Sequence, residues 1–231
     1  MNTRTEDDLF STLQISDSFF PIGSYSLSFG METLSQLGLL KSVEEVSHFL
    51  SVFLQQLSTL DCPAIRAVYS AAGRYDLELV TSIDRKLSSF KNVKEFSEGS
   101  RRTGRAVIRT VRAFKKSKVL SEYSDLVKSK EAPGNYAVSL AVACNALGIG
   151  EERAVTLMLY TSAISVLGAG VRLGHVTHEQ AQQILHSMKE EMRNCAKKSS
   201  TIPWRHVRAF SPMLDLMGMQ HVYLQSRMFS C

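Results

Sequence analysis

The sequence predicts an all-α fold, a single domain over residues 1–231 built as a bundle of about nine or ten helices. Three observations carry this expectation. Apolar residues recur at helical spacing along most of the chain, no sustained period-two run stands between turn signals, and helix-start residues precede the apolar stripes.

The elements follow in order. A first helix is expected to begin near Met31, after a Gly- and Ser-rich stretch. In "SVEEVSHFLSVFLQQLSTL", Ser42 and Glu45 have capping-box spacing, and Val46, Phe49, Leu50, Phe53, Leu54 and Leu57 form one apolar stripe. Asp61 followed by Pro63 reads as the next start, running to Gly73. Leu77 to Phe90 and Glu95 to Phe114 repeat the helical pattern. Pro133-Gly134 interrupts the chain before "NYAVSLAVACNALG". Two further helices are expected at 151–172 and 177–197, the second opened by Thr177 and Gln180 at capping-box spacing. "SPMLDLMGMQHVYLQSRMF" completes the set.

Composition excludes several function classes. Hydrophobic residues make up 44% and charged residues 21%, too balanced for a disordered chain, while five prolines and thirteen glycines leave no long linker. The opening "MNTRTEDDLF" carries acidic residues where a signal peptide needs a basic patch and an apolar run. Cys62, Cys144, Cys195 and Cys231 are widely spaced, which is neither a disulfide framework nor a zinc ribbon, so a cytoplasmic location is expected. The stretch "AVTLMLYTSAISVLGAGV" is uncharged between Arg153 and Arg172 and only just reaches the ~17–25 residues that span a bilayer. Its hydroxyls and glycines favour a buried central helix, and no membrane association is expected.

Charge is concentrated. Residues 91–118 hold ten Lys or Arg against two Glu, whereas the whole chain carries a net +5. At roughly 100° per residue, Arg101, Arg105, Arg109, Arg112 and Lys116 fall within an arc of about 80°, with Val107, Val111 and Phe114 opposite. Such a stripe is either a solvated face or a docking surface for an acidic partner. A helical nucleic-acid-binding protein using residues 101–116 is the alternative reading, but no reader motif and no interleaved aromatic accompany the stripe.

Catalytic signatures fail in turn. Ser26 and Ser28 sit in Ser-x-Ser-x-Gly, which is not a nucleophile elbow. "GAGVRLG" at 168–174 lacks dinucleotide-fingerprint spacing. In "HVTHEQAQQILH", His178-Glu179 begins like a zincin helix, but Gln182 stands where the second histidine belongs. His175 and His178 are therefore weak metal candidates, two ligands without a third. On the residues alone, binding outranks catalysis.

The stretch "SDSFFPIGSYSLSFGMET" resembles the N-terminal signature of the urease accessory protein UreF family, with its Phe-Pro-x-Gly-Ser-Tyr-x-x-Ser-x-Gly core followed by a hydrophobic residue and Glu32. "RRTGRAVIRTV" resembles that family's Gly-centred helix, "VRLGHVTHEQAQQIL" its basic residue and Gln-rich helix start, and "MQHVYLQSRMFSC" its closing Met-x-His and Ser-Arg. The chain departs from the family at His175-Val176-Thr177-His178, where relatives often read Pro-Leu-Gly-Gln, and at Ser97, where many have arginine.

The resemblance implies a homodimeric all-helical scaffold without enzymatic activity or tightly bound cofactor. The partners it implies are a UreD/UreH-type protein, the GTPase UreG and apo-urease, with nickel handled by the complex and a role in modulating GTP hydrolysis. Partner contacts are expected at Tyr25, Ser28, Phe29, Glu32, Arg105, Arg109, Arg172, His221 and Arg227. Gly23 and Gly30 are expected to turn the backbone, Ser24, Ser26 and Ser28 to satisfy turn amides or cap the following helix, and Tyr25 and Phe29 to stand at the surface. Arg227 is expected beside Tyr25, donating to backbone carbonyls or facing UreG. The competing expectation is that Tyr25 and Arg227 only lock the two ends of the domain together.

Overall fold

Side-chain caps open three of the helices in the computed structural model, which describes residues 3–209 and 211–230. After α1 (Thr3–Ser16) come a 3₁₀ turn at Ser24–Ser26 and the short α2 (Met31–Gln36). The Ser42 hydroxyl accepts from the Glu45 N–H while the Glu45 carboxylate accepts from the Ser42 N–H, and this capping box opens α3 (Val43–Thr59). α4 (Asp61–Gly73) and α5 (Leu77–Phe90) follow, the latter capped by Asp76 on the Leu79 N–H.

α6 (Lys94–Phe114), α7 (Lys118–Lys128) and α8 (Tyr136–Leu147) lead to Gly148, whose φ of 77° ends α8 in the left-handed conformation. α9 (Glu151–Arg172) is followed by α10 (His178–Ser187), which the expected Thr177/Gln180 box opens. α11 (Lys189–Ser200), a 3₁₀ turn at Trp204–His206 and α12 (Pro212–His221) complete the described elements. No strand occurs among the described residues, and the all-α expectation is met.

The helix expected at 177–197 is two, broken at Met188. Met188 flattens to ψ −4° while its N–H still donates to the Ile184 carbonyl at 3.0 Å and its carbonyl accepts from the Met192 N–H at 2.9 Å, and the helix resumes at Lys189. α6 stops at Phe114, so Lys116 lies beyond its end, and Phe114 is exposed where the periodicity had placed it opposite the basic stripe.

One contiguous core runs through the molecule. α8 is buried from Tyr136 through Cys144 on all sides, and α4 and α9 pack against it, with α3, α10 and α11 on α9. α9 is long and apolar enough to cross a membrane, and 72% of its most apolar window is buried inside the protein. Its uncharged surface is consumed by neighbouring helices.

Asp84 of α5 anchors the loop before α8. Buried completely, it accepts from the Tyr123 hydroxyl and the Gly134 N–H at 2.7 Å, and from the Asn135 N–H at 3.1 Å and side-chain amide at 2.7 Å. Burial pushes its carboxyl above the ordinary value, against the pull of these four donors. Asp84→Asn keeps the volume but sets an NH₂ group against a backbone N–H. It is expected to cost about 2 kcal/mol and lower the melting temperature by about 4–8 °C. Thermal denaturation followed by circular dichroism checks this, and an unchanged midpoint would mean the loop is held elsewhere.

Candidate functional site

The segment that follows α1 and the C-terminal end of the described chain meet on one face, and their junction gathers most of the residues that the sequence singled out. Its first wall is the segment 17–36. Asp17 opens it with an Asx turn, its carboxylate accepting from the Phe19 N–H at 2.6 Å. Gly23 (φ 72°) and Gly30 (φ 90°) take left-handed conformations, as expected. At Gly30 a Cβ would stand 2.9 Å from the Met217 Cβ, so glycine also lets α2 lie against α12. The Thr33 hydroxyl donates to the Met217 carbonyl at 2.9 Å, fixing that approach.

The second wall is the strap 222–230, which leaves α12 and returns across α2. Gln36 donates to the Ser226 carbonyl at 2.8 Å, and the Ser230 N–H donates to the Ser26 carbonyl at 2.9 Å. Between the walls Glu32 is the hub. Its Oε1 accepts from the Met228 N–H at 2.6 Å, and its Oε2 accepts from the Phe229 N–H at 3.1 Å and faces His221 Nε2 at 2.7 Å. His221 Nδ1 faces Glu95 Oε2 of α6 at 2.6 Å, and the other Glu95 oxygen accepts from Arg227 at 3.2 Å. One chain of contacts thus joins α2, α12, α6 and the strap.

The outer layer is aromatic and cationic. The Arg172 guanidinium, from the last turn of α9, lies 3.6 Å from the Tyr25 ring centroid and 4.2 Å from that of Phe229. Its Nε donates to the Gly168 carbonyl at 3.1 Å, and burial between the rings pulls it below the ordinary arginine value. Arg102 donates to the Ser26 hydroxyl at 3.1 Å and the Ser230 hydroxyl at 2.6 Å. Around this node Tyr25 is 69% exposed, Tyr223 80% and Met228 63%. Large apolar groups held at the surface by a rigid support are what binding hot spots are made of.

The structure redistributes the expected contact residues. Glu32 and His221 are 2% and 0% exposed, so they build the face from beneath rather than touch a partner on it. Ser28 is buried as well, and its carbonyl accepts from the Met31 N–H; no side chain caps α2, because Gly30 occupies the cap position. Phe29 is half-buried and turned inward onto Phe53, ring centroids 4.6 Å apart, rather than standing at the surface. Arg227 reaches the Glu95 carboxylate instead of a backbone carbonyl, and the cation over Tyr25 is Arg172.

Arg105 and Arg109 stay exposed, but Arg112 is turned onto the Ser124 hydroxyl and Asp125 of α7 and Arg101 is half-buried, so the stripe is shorter than its periodicity suggests. His175 contacts the Ser35 hydroxyl at 2.7 Å, and His178 is an exposed first-turn residue of α10. Among the described residues no three His, Cys, Asp or Glu side chains gather to hold a metal ion. Cys62, Cys144 and Cys195 are buried and free, burial pushing the Cys195 thiol up to about 11; Cys231 lies outside the described residues. Glu95, Arg102, Phe229 and Ser230 were not singled out by sequence, since their partners in the site are far away in the chain.

A family model described as UreF matches residues 40–189. The chain belongs to the UreF family. Similar proteins named urease accessory protein UreF extend the likeness beyond that span. The one from Trichodesmium erythraeum (strain IMS101) is 29% identical over 219 residues, 94% of each chain. The one from Corynebacterium glutamicum (strain R) is 28% identical over 221 residues, 95% of this chain and 96% of that protein. The one from Yersinia enterocolitica is 25% identical over 223 residues, 96% of this chain and 98% of that protein. UreF proteins are urease accessory proteins, and likeness along nearly the full length brings in chain on both sides of the 40–189 span.

Proposed function

We propose that this UreF-family chain is a non-enzymatic scaffold of urease maturation. As a cytoplasmic homodimer it joins a UreD/UreH-type protein to a UreG-type GTPase and promotes nickel insertion into apo-urease, influencing GTP hydrolysis through the UreG contact. Nickel is cargo of the assembly, and the chain keeps no tightly bound cofactor. The observation that carries the reading is the exposed Tyr25 ring braced by Arg172 over Phe229, a surface anchor fixed by a buried hub. Arg105 and Arg109, exposed on α6, supply the positive rim that steers an acidic partner.

Size-exclusion chromatography with light scattering tests the proposal, on the chain alone and with its UreD-type and UreG-type partners, with and without nickel and GTP. A dimer that enters a larger stable complex is the expected result. A chain that stays apart from both partners under every condition sinks it. In the complex-forming case, the double charge reversal Arg105→Glu, Arg109→Glu should slow association about tenfold and alter its salt dependence. An unchanged association rate returns the stripe to a solvated face.

A further inference from the structure

Both ring nitrogens of the buried His221 face carboxylate oxygens, Nε2 toward Glu32 at 2.7 Å and Nδ1 toward Glu95 at 2.6 Å. The carboxylates lie on different edges of the ring, so they do not converge on one ion. A neutral imidazole has one donor and one acceptor nitrogen, and an ionised carboxylate only accepts. Both short contacts are hydrogen bonds only when the node carries one proton more than neutral His221 and two ionised glutamates would bring. Without that proton a ring lone pair faces a carboxylate lone pair inside the protein, where an unmade hydrogen bond is costly.

The surroundings fasten this proton to the strap. Glu32, from α2, takes the Met228 and Phe229 N–H groups on the same carboxylate that meets His221, and Glu95, from α6, takes Arg227. The charged groups meeting the ring, directly or through one carboxylate, are thus Glu32, Glu95 and Arg227, from α2, α6 and the strap. Farther along the strap, Arg172 lies over the Phe229 ring and Arg102 donates to the Ser230 hydroxyl.

We propose that Glu32, His221 and Glu95 form a one-proton latch that holds the strap 222–230 against α2 and loosens it as pH rises. Arg227 and Met228 ride on the strap, so the latch sets the shape of the exposed face. This goes beyond the scaffold reading and stands apart from it, because the chain alone reports it.

The test is amide hydrogen exchange on the full chain at about pH 6 and about pH 9, since a proton bound only by the closed strap makes its opening depend on pH. Rates are corrected for intrinsic exchange, and the buried α8 amides serve as a reference for global opening. Protection of the Met228 and Phe229 amides should fall about tenfold or more between the two, the size of one charge-assisted hydrogen bond, while α8 stays protected. Equal strap protection at both pH values overturns the latch, as does a loss shared equally by α8. The variant Glu95→Gln supplies a second reading. Its amide N–H₂ donates to an unprotonated Nδ1, so the node closes without the extra proton and strap protection should become independent of pH. Retention of the wild-type pH dependence in this variant also overturns the proposal.

Discussion

Glu32→Ala is expected to lower the melting temperature by about 10 °C and to open the strap to proteolysis after residue 221. The carboxylate is 2% exposed and accepts the Met228 and Phe229 N–H groups while meeting His221 Nε2, so its removal strands two buried polar groups and the part-buried Met228 N–H at once. A stranded buried donor costs about 1–3 kcal/mol, and the relief of burying one less charge offsets part of the sum. A net loss of about 4 kcal/mol remains, and each kcal/mol shifts a chain of this size by about 2–4 °C.

The effect would also reach the surface. Phe229 carries the far side of the Arg172 sandwich, so a displaced strap leaves Arg172 and the exposed Tyr25 ring without their support. Thermal melting and limited proteolysis read the two parts separately. A normal midpoint with an intact C-terminus would show that the strap is held by Ser230, Gln36 and Arg102 without Glu32.

Local chemistry was legible in the sequence and long-range pairing was not. The bounds of α4, α5 and α9 follow from caps, a proline near a helix start and apolar spacing, because each signal and its consequence lie within a few residues. Both capping boxes form as their spacing predicts. The break at Met188 was missed because periodicity continues through it, and the break itself is one residue flattened to ψ −4° with helical hydrogen bonds on both sides. Arg227 was expected to donate to backbone carbonyls near Tyr25, but it meets Glu95, and the cation over the Tyr25 ring is Arg172. Arginine reads the same in sequence whether it stacks on a ring or meets a carboxylate, and Glu95 is 132 residues from Arg227. Glu32 and His221 were expected as contact residues on the family resemblance alone. Only the folded hub shows why the chain buries them.

Gly104→Ala sets two physical rules against each other. In an exposed helix interior, replacing glycine by alanine stabilises by about 1 kcal/mol, since glycine surrenders more backbone freedom on folding. Gly104 sits in the middle of α6 and by that rule should be improved. A Cβ there, however, would lie 2.1 Å from the Gly134 carbonyl oxygen, 2.8 Å from the Ser139 hydroxyl and 2.9 Å from the Asn135 carbonyl carbon. Ordinary contacts of carbon sit at about 3.5–4.0 Å, so α6 or the loop must move.

The loop resists, because Asp84 holds the Gly134 and Asn135 N–H groups from the other side. α6 resists through Val107, Ile108 and Val111, all in the core. Overpacking against backbone held on both sides is expected to cost about 3 kcal/mol and to lower the melting temperature by about 6–12 °C. Gly168 of α9 is the control, since a Cβ there meets nothing within 4 Å. Gly168→Ala should leave the midpoint unchanged or raise it slightly, so one substitution in two helices should move stability in opposite directions. If both variants are stabilised, helix propensity rather than close approach governs Gly104, and the α6–α8 contact is looser than the geometry requires.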